Sequence, residues 1–204
     1  MDNKFEYLHL FRFNEFYKKL FAIIFVINYF CKLNFDYMKI ILSFCFVFVL
    51  ILQVKAQDDD MFKALYIYNF TKNVDWPAEY KRGDLVIGIW GTTPLFSEME
   101  KLANKKKSGS QNIVVRKVNN LEMLDKFHVL YLTPSNSKLL PQVLASTSSK
   151  PCLIITDQVG LLAKGSCINL LKVNGALKYE VNETNITKKG MKISRFLLEL
   201  AIKN

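Results

Sequence analysis

The sequence predicts a mixed α/β domain over residues 57–204, arranged as a single three-layer α/β/α sandwich with a Rossmann-like mixed sheet. Short, almost wholly apolar runs alternate with helical patterns between residues 84 and 157, as expected for strands covered on both faces. An Asn-Gly pair at 174–175 lies between two strand-like segments and predicts a C-terminal β-hairpin. A final amphipathic segment, 183–203, predicts one helix that covers the sheet.

The first element of this domain is predicted to be a helix that ends at Trp76-Pro77. Three aspartates at 58–60 favour a helix start, because acidic side chains are stabilised at the positive end of a helix. The residue before a proline is disfavoured in the helical conformation, so the helix should stop there. The segment KALYIYNFTKNVDWP (63–77) is apolar on nearly all sides, which indicates burial on more than one side or a missing partner.

The middle of the domain is predicted to alternate strands and helices, without a linker or an internal repeat. Continuous apolar segments indicate buried strands, whereas longer segments with regularly spaced polar positions indicate helices. The predicted strands are 84–91, 112–118, 128–133 and 151–157, and the predicted helices are 94–107 and 135–147.

Residues 38–56 have the layout of a secretory signal peptide. Met38-Lys39 give a short positive start, an apolar run follows, and the segment ends at Ala56 with a small residue where signal peptidase cuts. That run is too short to span a bilayer, which takes roughly 20 residues in a helix. We therefore predict export, with cleavage after Ala56.

Residues 1–37 precede this signal and hold a second short apolar run. We interpret them as an extension upstream of a true start at Met38, because the signal pattern is complete by itself. The alternative is an N-terminal membrane anchor made of both apolar runs.

The charge of the chain is basic but its pattern does not favour nucleic-acid binding. Twenty-eight Lys and Arg stand against 18 Asp and Glu, a formal net charge of +10. Apart from Lys105–Lys107, the basic residues are spread out and are not interleaved with aromatic residues. A solvated surface, or one that faces an anionic membrane leaflet, fits this pattern better.

Cleavage after Ala56 would leave Cys152 and Cys167 as the only cysteines of the mature chain. Two cysteines on neighbouring strands often pair in an oxidising compartment, and closing a loop of this length adds about 3 kcal/mol to stability. We expect a disulfide between them. The alternative is two buried thiols in core strands.

Six blocks between residues 61 and 202, taken in order, resemble the YfiR-like family. They are KALYIYNFTKNVDWP, VIGIWG, HVLYLTPS, LIITDQVGLLAKGSCINL, LKYEVN and MKISRFLLELA.

The resemblance implies a non-enzymatic domain of the bacterial periplasm. The best-understood members of the family bind and repress an inner-membrane diguanylate cyclase, and an outer-membrane lipoprotein relieves the repression by sequestering them. The expected function is therefore that of a periplasmic regulatory protein that binds an inner-membrane sensor or cyclase. The sequence leaves open whether the domain also contacts a second copy of itself as a homodimer.

The residues expected to contact a partner lie on the first and last predicted helices. Aromatic runs more often serve packing than recognition, so core packing remains the alternative for the aromatic members. The expected contact residues are Tyr66, Asn69, Phe70, Trp76, Lys192 and Arg195.

The alternative function is a periplasmic solute-binding module for a small aromatic or nucleotide ligand. Gly91 and Thr92 lie between a strand end and a helix start, where backbone N–H groups can hold an anion. Asp157 also follows a strand, at the edge where α/β sheets bind ligands. These three residues are the predicted ligand contacts, although neither a P-loop lysine nor a G-x-G-x-x-G spacing is present.

The sequence gives little support for a catalytic site or a metal site. His128 would be the only histidine of the mature chain, and no G-x-S-x-G elbow offers it a nucleophile. One histidine and two separated cysteines make a poor zinc site. We expect His128 to be a structural histidine, and we expect no cofactor, no metal and no enzymatic activity.

We predict that the mature protein begins at Gln57. Edman degradation or mass spectrometry of the exported protein measures this directly, and an N-terminus far from Gln57 would contradict the cleavage prediction.

Overall fold

The computed structural model describes residues 21–26, 39, 41, 43 and 55–202. The chain divides into two compact units, Met1–Val54 and Lys55–Asn204. Most of the predicted signal peptide and upstream extension lies outside the described residues. Within the described residues, none of the helices is both long and apolar enough to cross a membrane.

The second unit contains a seven-stranded sheet and a small two-stranded one. In chain order the strands are β1 (Val74–Asp75), β2 (Leu85–Trp90), β3 (Lys107–Ser108), β4 (Gln111–Val118), β5 (Val129–Leu132), β6 (Leu153–Thr156), β7 (Ile168–Val173), β8 (Ala176–Val181) and β9 (Lys192–Ile193). The large sheet has the order β3-β4-β2-β5-β6-β7-β8, and β1 pairs with β9.

The large sheet is mostly parallel. Five adjacent strands of the sheet, β4, β2, β5, β6 and β7, run parallel to one another. The edge strands β3 and β8 are antiparallel to their neighbours. The sheet curls into a half-barrel. The prediction of a mixed α/β fold is confirmed, but the Rossmann-like sandwich is not.

The strands occupy the positions that their apolar runs predict. Every residue of β5 and of β6 is buried, as a strand covered on both faces requires. The predicted hairpin is also confirmed, because β7 and β8 pair antiparallel around Asn174 and Gly175. Both residues have positive φ, 52° and 79°, the conformation for which Asn-Gly is favoured in two-residue turns.

Within the described part of the second unit, five α-helices accompany the sheets. They are α1 (Lys55–Asn73), α2 (Leu95–Ala103), α3 (Leu140–Ser146), α4 (Glu183–Thr187) and α5 (Arg195–Leu200). The longest, α1, packs against α2 and reaches α5 and β8. Its inner side is fixed in part by an aromatic cluster of Tyr66, Phe70 and Tyr179, whose ring centroids lie 5.0–6.0 Å apart.

The prediction of one continuous covering helix over 183–203 is wrong. The segment forms α4, then β9, which pairs with β1, and then α5. Gly190 lies between α4 and β9 with φ +74°, a conformation that ends a helix and reverses the chain. Ser194 starts α5 afresh, because its hydroxyl accepts a hydrogen bond from the backbone N–H of Leu197.

We predict that Gly190→Ala lowers the free energy of unfolding by about 1–2 kcal/mol, the strain of a left-handed conformation in an L-residue. The added methyl group itself has room, since its nearest neighbour, Pro77, is 3.8 Å away. Urea denaturation measures the change. Gly190→Asn is the matched control and should cost less, because Asn tolerates positive φ. Equal stability of Gly190→Ala and the wild type would contradict the role given to Gly190.

Candidate functional site

The predicted partner residues occupy different environments. Asn69 on α1, Lys192 on β9 and Arg195 at the start of α5 are exposed. Tyr66 is half-buried, and its hydroxyl donates a hydrogen bond to the carbonyl of Leu177 at 3.2 Å.

Phe70 and Trp76 lie in the core. Phe70 is fully buried and Trp76 is 6% exposed. For these two residues the structure supports the packing alternative that the sequence left open.

Five large apolar side chains are exposed on α1 and α5, and sequence reasoning did not single them out. They are Met61, Phe62, Leu65, Phe196 and Leu200, each at least 40% exposed. The spacing i, i+4 places Met61 with Leu65 on one helix face, and Phe196 with Leu200 on another. The two helices are joined where the backbone N–H of Ser194 donates to the carbonyl of Asn73 at 2.9 Å. We call these five residues the apolar helix surface.

A charged network joins α1 to the carboxyl end of the parallel strands. The ammonium of Lys63 lies 2.5 Å from Oδ2 of Asp157, and both side chains are less than one-fifth exposed. The hydroxyl of Tyr131 donates to the same oxygen at 2.9 Å. Burial, together with the nearby Asp157 carboxylate, raises the pKa of Tyr131, so this hydroxyl keeps its proton as a donor. Asp157 is thus a structural anchor in this structure.

The predicted ligand residues Gly91 and Thr92 line a cleft of about 460 Å³, but Asp157 does not. The cleft opens where β2 and β4 end, and its other walls include Phe96, Lys117 and Asn136. The structure therefore brings together two of the three predicted ligand contacts.

Gly91, in the wall of this cleft, packs closely against Thr133. It has φ +117°, and a Cβ there would lie 2.2 Å from the hydroxyl oxygen of Thr133. The hydroxyl of Thr133 also donates to the carbonyl of Trp90 at 3.0 Å. Only glycine fits this close approach of backbone and side chain.

His128 lies just before β5 and has both ring nitrogens in hydrogen bonds. Its Nδ1 accepts from the backbone N–H of Val86 at 3.1 Å, and its Nε2 donates to the carbonyl of Tyr80 at 2.9 Å. Both bonds together require the neutral ring. Burial lowers the pKa of His128 below its ordinary value of 6.5. The geometry is that of a structural histidine, as the sequence predicts.

The expected disulfide is wrong for this structure, since Cys152 and Cys167 are free and buried. The backbone N–H of Cys167 donates to the carbonyl of Ile154, and continuing the Ile155–Ile168 pairing of β6 and β7 by one residue sets Cys167 opposite Ile154. Cys152 is two residues before Ile154. Its Cα is therefore displaced from that of Cys167 by about 6.6 Å along the strand as well as about 4.8 Å across to the neighbouring strand. A disulfide needs Cα atoms within about 7 Å.

Both thiols are held in the protonated form. Burial raises the pKa of Cys152 to about 12 and that of Cys167 to about 11. Since the thiolate is the nucleophile and the metal ligand, neither cysteine is activated. Within residues 55–202 and the other described positions, no group of three or more His, Cys, Asp or Glu is placed to hold a metal ion.

The fold defines the class of this protein as a mixed α/β domain built on a curled, mostly parallel sheet. A sequence profile of the YfiR/HmsC-like family matches residues 60–202. The chain therefore belongs to the YfiR/HmsC-like family, and membership suggests a YfiR-type regulator.

Other comparisons add little. No curated protein matches the chain. Among solved structures, it is similar to an ABC domain in complex with L-Trp from Streptococcus pneumonia, with 13% identity and a TM-score of 0.42. That similarity covers 57% of this chain, which spans about half (54%) of the other protein's chain. At this TM-score the likeness carries no argument about fold or ligand.

We predict that the protein loses stability below about pH 6.5 because of His128. The unfolded chain takes up a proton near the ordinary pKa, whereas the folded ring resists it, so the stability present above pH 6.5 falls as the pH decreases towards the lowered folded pKa. Urea denaturation between pH 5 and 8 measures this.

The matched variant is His128→Gln. It should be less stable at pH 7.5 by about 1–3 kcal/mol, because the Val86 N–H loses its acceptor. Its stability should also depend less on pH between 5 and 6.5. Parallel pH profiles for the two proteins would contradict the assignment.

Proposed function

We propose that this protein is a non-enzymatic periplasmic regulator that binds the periplasmic region of an inner-membrane signalling protein, with a diguanylate cyclase as the partner to test first. Membership of the YfiR/HmsC-like family supports this proposal. The observation on the molecule that carries it is the apolar helix surface. Large apolar side chains left exposed on two helices that contact each other favour an interaction site.

Charges beside the apolar helix surface indicate the chemistry of the partner. Lys192 and Arg195 are exposed at β9 and at the first residue of α5, close in sequence to Phe196 and Leu200. An apolar centre with a charged rim is the usual anatomy of a protein interface. The proposed partner surface is therefore apolar at its centre and acidic at its rim.

Two further partners compete for the same surface in this proposal. A second copy of the chain would cover the apolar residues as a homodimer. An outer-membrane lipoprotein that sequesters the regulator would cover them in place of the cyclase. Sedimentation of the purified protein alone separates self-association from the other two, because only a homodimer forms without an added partner.

A second candidate function is solute binding in the cleft at Gly91 and Thr92. The supporting observation is the cleft itself, about 460 Å³ at the carboxyl edge of the parallel strands, where α/β sheets commonly bind ligands. The ring of Phe96 lies 5.0 Å from the ammonium of Lys117, so an aromatic and a cationic group are both available to a small aromatic or nucleotide ligand.

For the regulator, we predict that Leu65→Glu combined with Phe196→Glu abolishes binding to the membrane partner while the fold is kept. Both positions are exposed, so the charges cost little stability. Cross-linked co-purification with a co-expressed diguanylate cyclase, together with the cellular level of cyclic di-GMP, measures the effect.

The control is Val159→Glu, the same kind of change at a single side chain that is 83% exposed in a loop and lies on neither α1 nor α5. It should bind as the wild type does. If the variant with both glutamates still co-purifies with the cyclase and still lowers cyclic di-GMP, the apolar helix surface is not the interface.

For the solute-binding candidate, we predict that a true ligand at 100 times its dissociation constant adds about 2.7 kcal/mol to the free energy of unfolding. A thermal-shift screen of aromatic amino acids and nucleotides measures this. Gly91→Ala should abolish the shift, because the added Cβ overlaps Thr133. A stabilising ligand whose effect survives in Gly91→Ala binds elsewhere.

A further inference from the structure

A second cleft, of about 340 Å³, lies at the opposite end of the parallel strands from the Gly91 cleft. Leu85 and Gln111, the first residues of β2 and β4, form part of its wall. The end of α1 closes one side, and the tight turn at Gly109-Ser110 between β3 and β4 closes the other. We call it the amino-edge cleft. It is distinct from the site considered for solute binding.

The walls of the amino-edge cleft are held by hydrogen bonds that do not involve its lysines. The hydroxyl of Ser108 donates to the carbonyl of Thr71 at 3.1 Å, and the side-chain amide of Gln111 donates to the carbonyl of Tyr80 at 3.1 Å. These bonds join the β3–β4 hairpin to α1 and to the segment before β2. The cleft is therefore a fixed feature of the fold and not a gap between loose side chains.

Two lysines line the amino-edge cleft. Lys72 packs its ammonium 5.7 Å from the centre of the Tyr68 ring, and none of the described carboxylates forms an ion pair with it. Lys81 pairs with Asp75 at 2.5 Å, but both side chains are more than half exposed. An exposed pair of this kind contributes little, so an incoming anion can replace Asp75 as the partner of Lys81.

Trp76 supplies a hydrogen-bond donor that has no acceptor. The residue lines the cleft and is 6% exposed, and its Nε1 is sealed from solvent without a partner among the described residues. Buried donors are almost always paired in folded proteins, so an unpaired one calls for an explanation. Nε1 is sealed in this arrangement, so an acceptor reaches it only after a neighbouring side chain moves aside.

We propose that the amino-edge cleft binds the oxyanion group, carboxylate or phosphate, of a small ligand. One ligand oxygen accepts the Trp76 Nε1–H, and the ammonium groups of Lys72 and Lys81 neutralise the charge. Hydrogen bonds between charged groups and oxyanions are among the strongest in proteins. The volume of the cleft, at the lower end of ordinary ligand sites, limits the ligand to a small molecule or a single headgroup.

The test is a titration of the purified protein with inorganic phosphate and, separately, with acetate, each against sodium chloride at the same ionic strength. The readout is the indole N–H proton resonance. The chain has two tryptophans, and Trp90 lies in the wall of the other cleft, so it serves as an internal reference once Trp90→Phe has assigned the two signals. The Trp76 signal should move downfield and saturate, while the Trp90 signal stays in place.

Two variants sharpen the titration. Lys72→Gln should weaken binding about tenfold, the affinity that one charge-assisted hydrogen bond supplies. Lys178→Gln removes an equal charge on β8, at the other edge of the sheet from β3 and β4, and should titrate as the wild type does.

Vesicles with phosphatidylglycerol form a separate arm. A saturating Trp76 shift with vesicles alone assigns the oxyanion to a lipid headgroup, and a shift with free ions assigns it to a soluble ligand. A Trp76 signal that stays fixed in every arm, that moves equally with chloride, or that titrates unchanged in Lys72→Gln would overturn the proposal. None of these outcomes depends on binding to the membrane partner.

Discussion

The contact between Lys63 and Asp157 is the constraint on which the arrangement of the domain depends. The two residues lie 94 positions apart in sequence, and their side chains are 17% and 15% exposed. Removing one partner of such a pair leaves a charge with poor solvation, which is strongly destabilising. Tyr131 donates to the same carboxylate from β5, and Asp157 itself follows β6. One carboxylate therefore ties α1 to two neighbouring strands.

This tie decides which side of α1 faces the sheet and which side faces outwards. With Lys63 directed to Asp157, Ala64, Ile67 and Phe70 are buried, and Met61, Phe62 and Leu65 are left exposed. The aromatic contacts of Tyr66 and Phe70 with Tyr179 reinforce the same orientation towards β8. The apolar helix surface is thus a consequence of how the core is fixed, and α1 also carries Lys72 to the amino-edge cleft.

The sequence predicted local features well and distant ones poorly. Apolar runs located β2, β5 and β6, and Asn174-Gly175 located the hairpin, because these signals act within a few residues. The break at Gly190 was missed because apolar residues recur at helical spacing on both sides of it. Only the pairing of β9 with β1 makes the break favourable. The contacts of Asp157 with Lys63 and Tyr131, and the free state of Cys152, depend on partners far away in sequence. Trp76 stood out as an aromatic residue, but its unpaired nitrogen is visible only in the packed structure.

Amide hydrogen exchange in Asp157→Asn tests the central role of the Lys63–Asp157 contact most directly. Local opening of a helix exposes its amides at a lower free energy than global unfolding does. If this contact orients α1, residues 61–73 lose protection first and most, while β5 and β6 keep theirs until global unfolding. Unchanged protection in α1, or an equal loss throughout the domain, would contradict it.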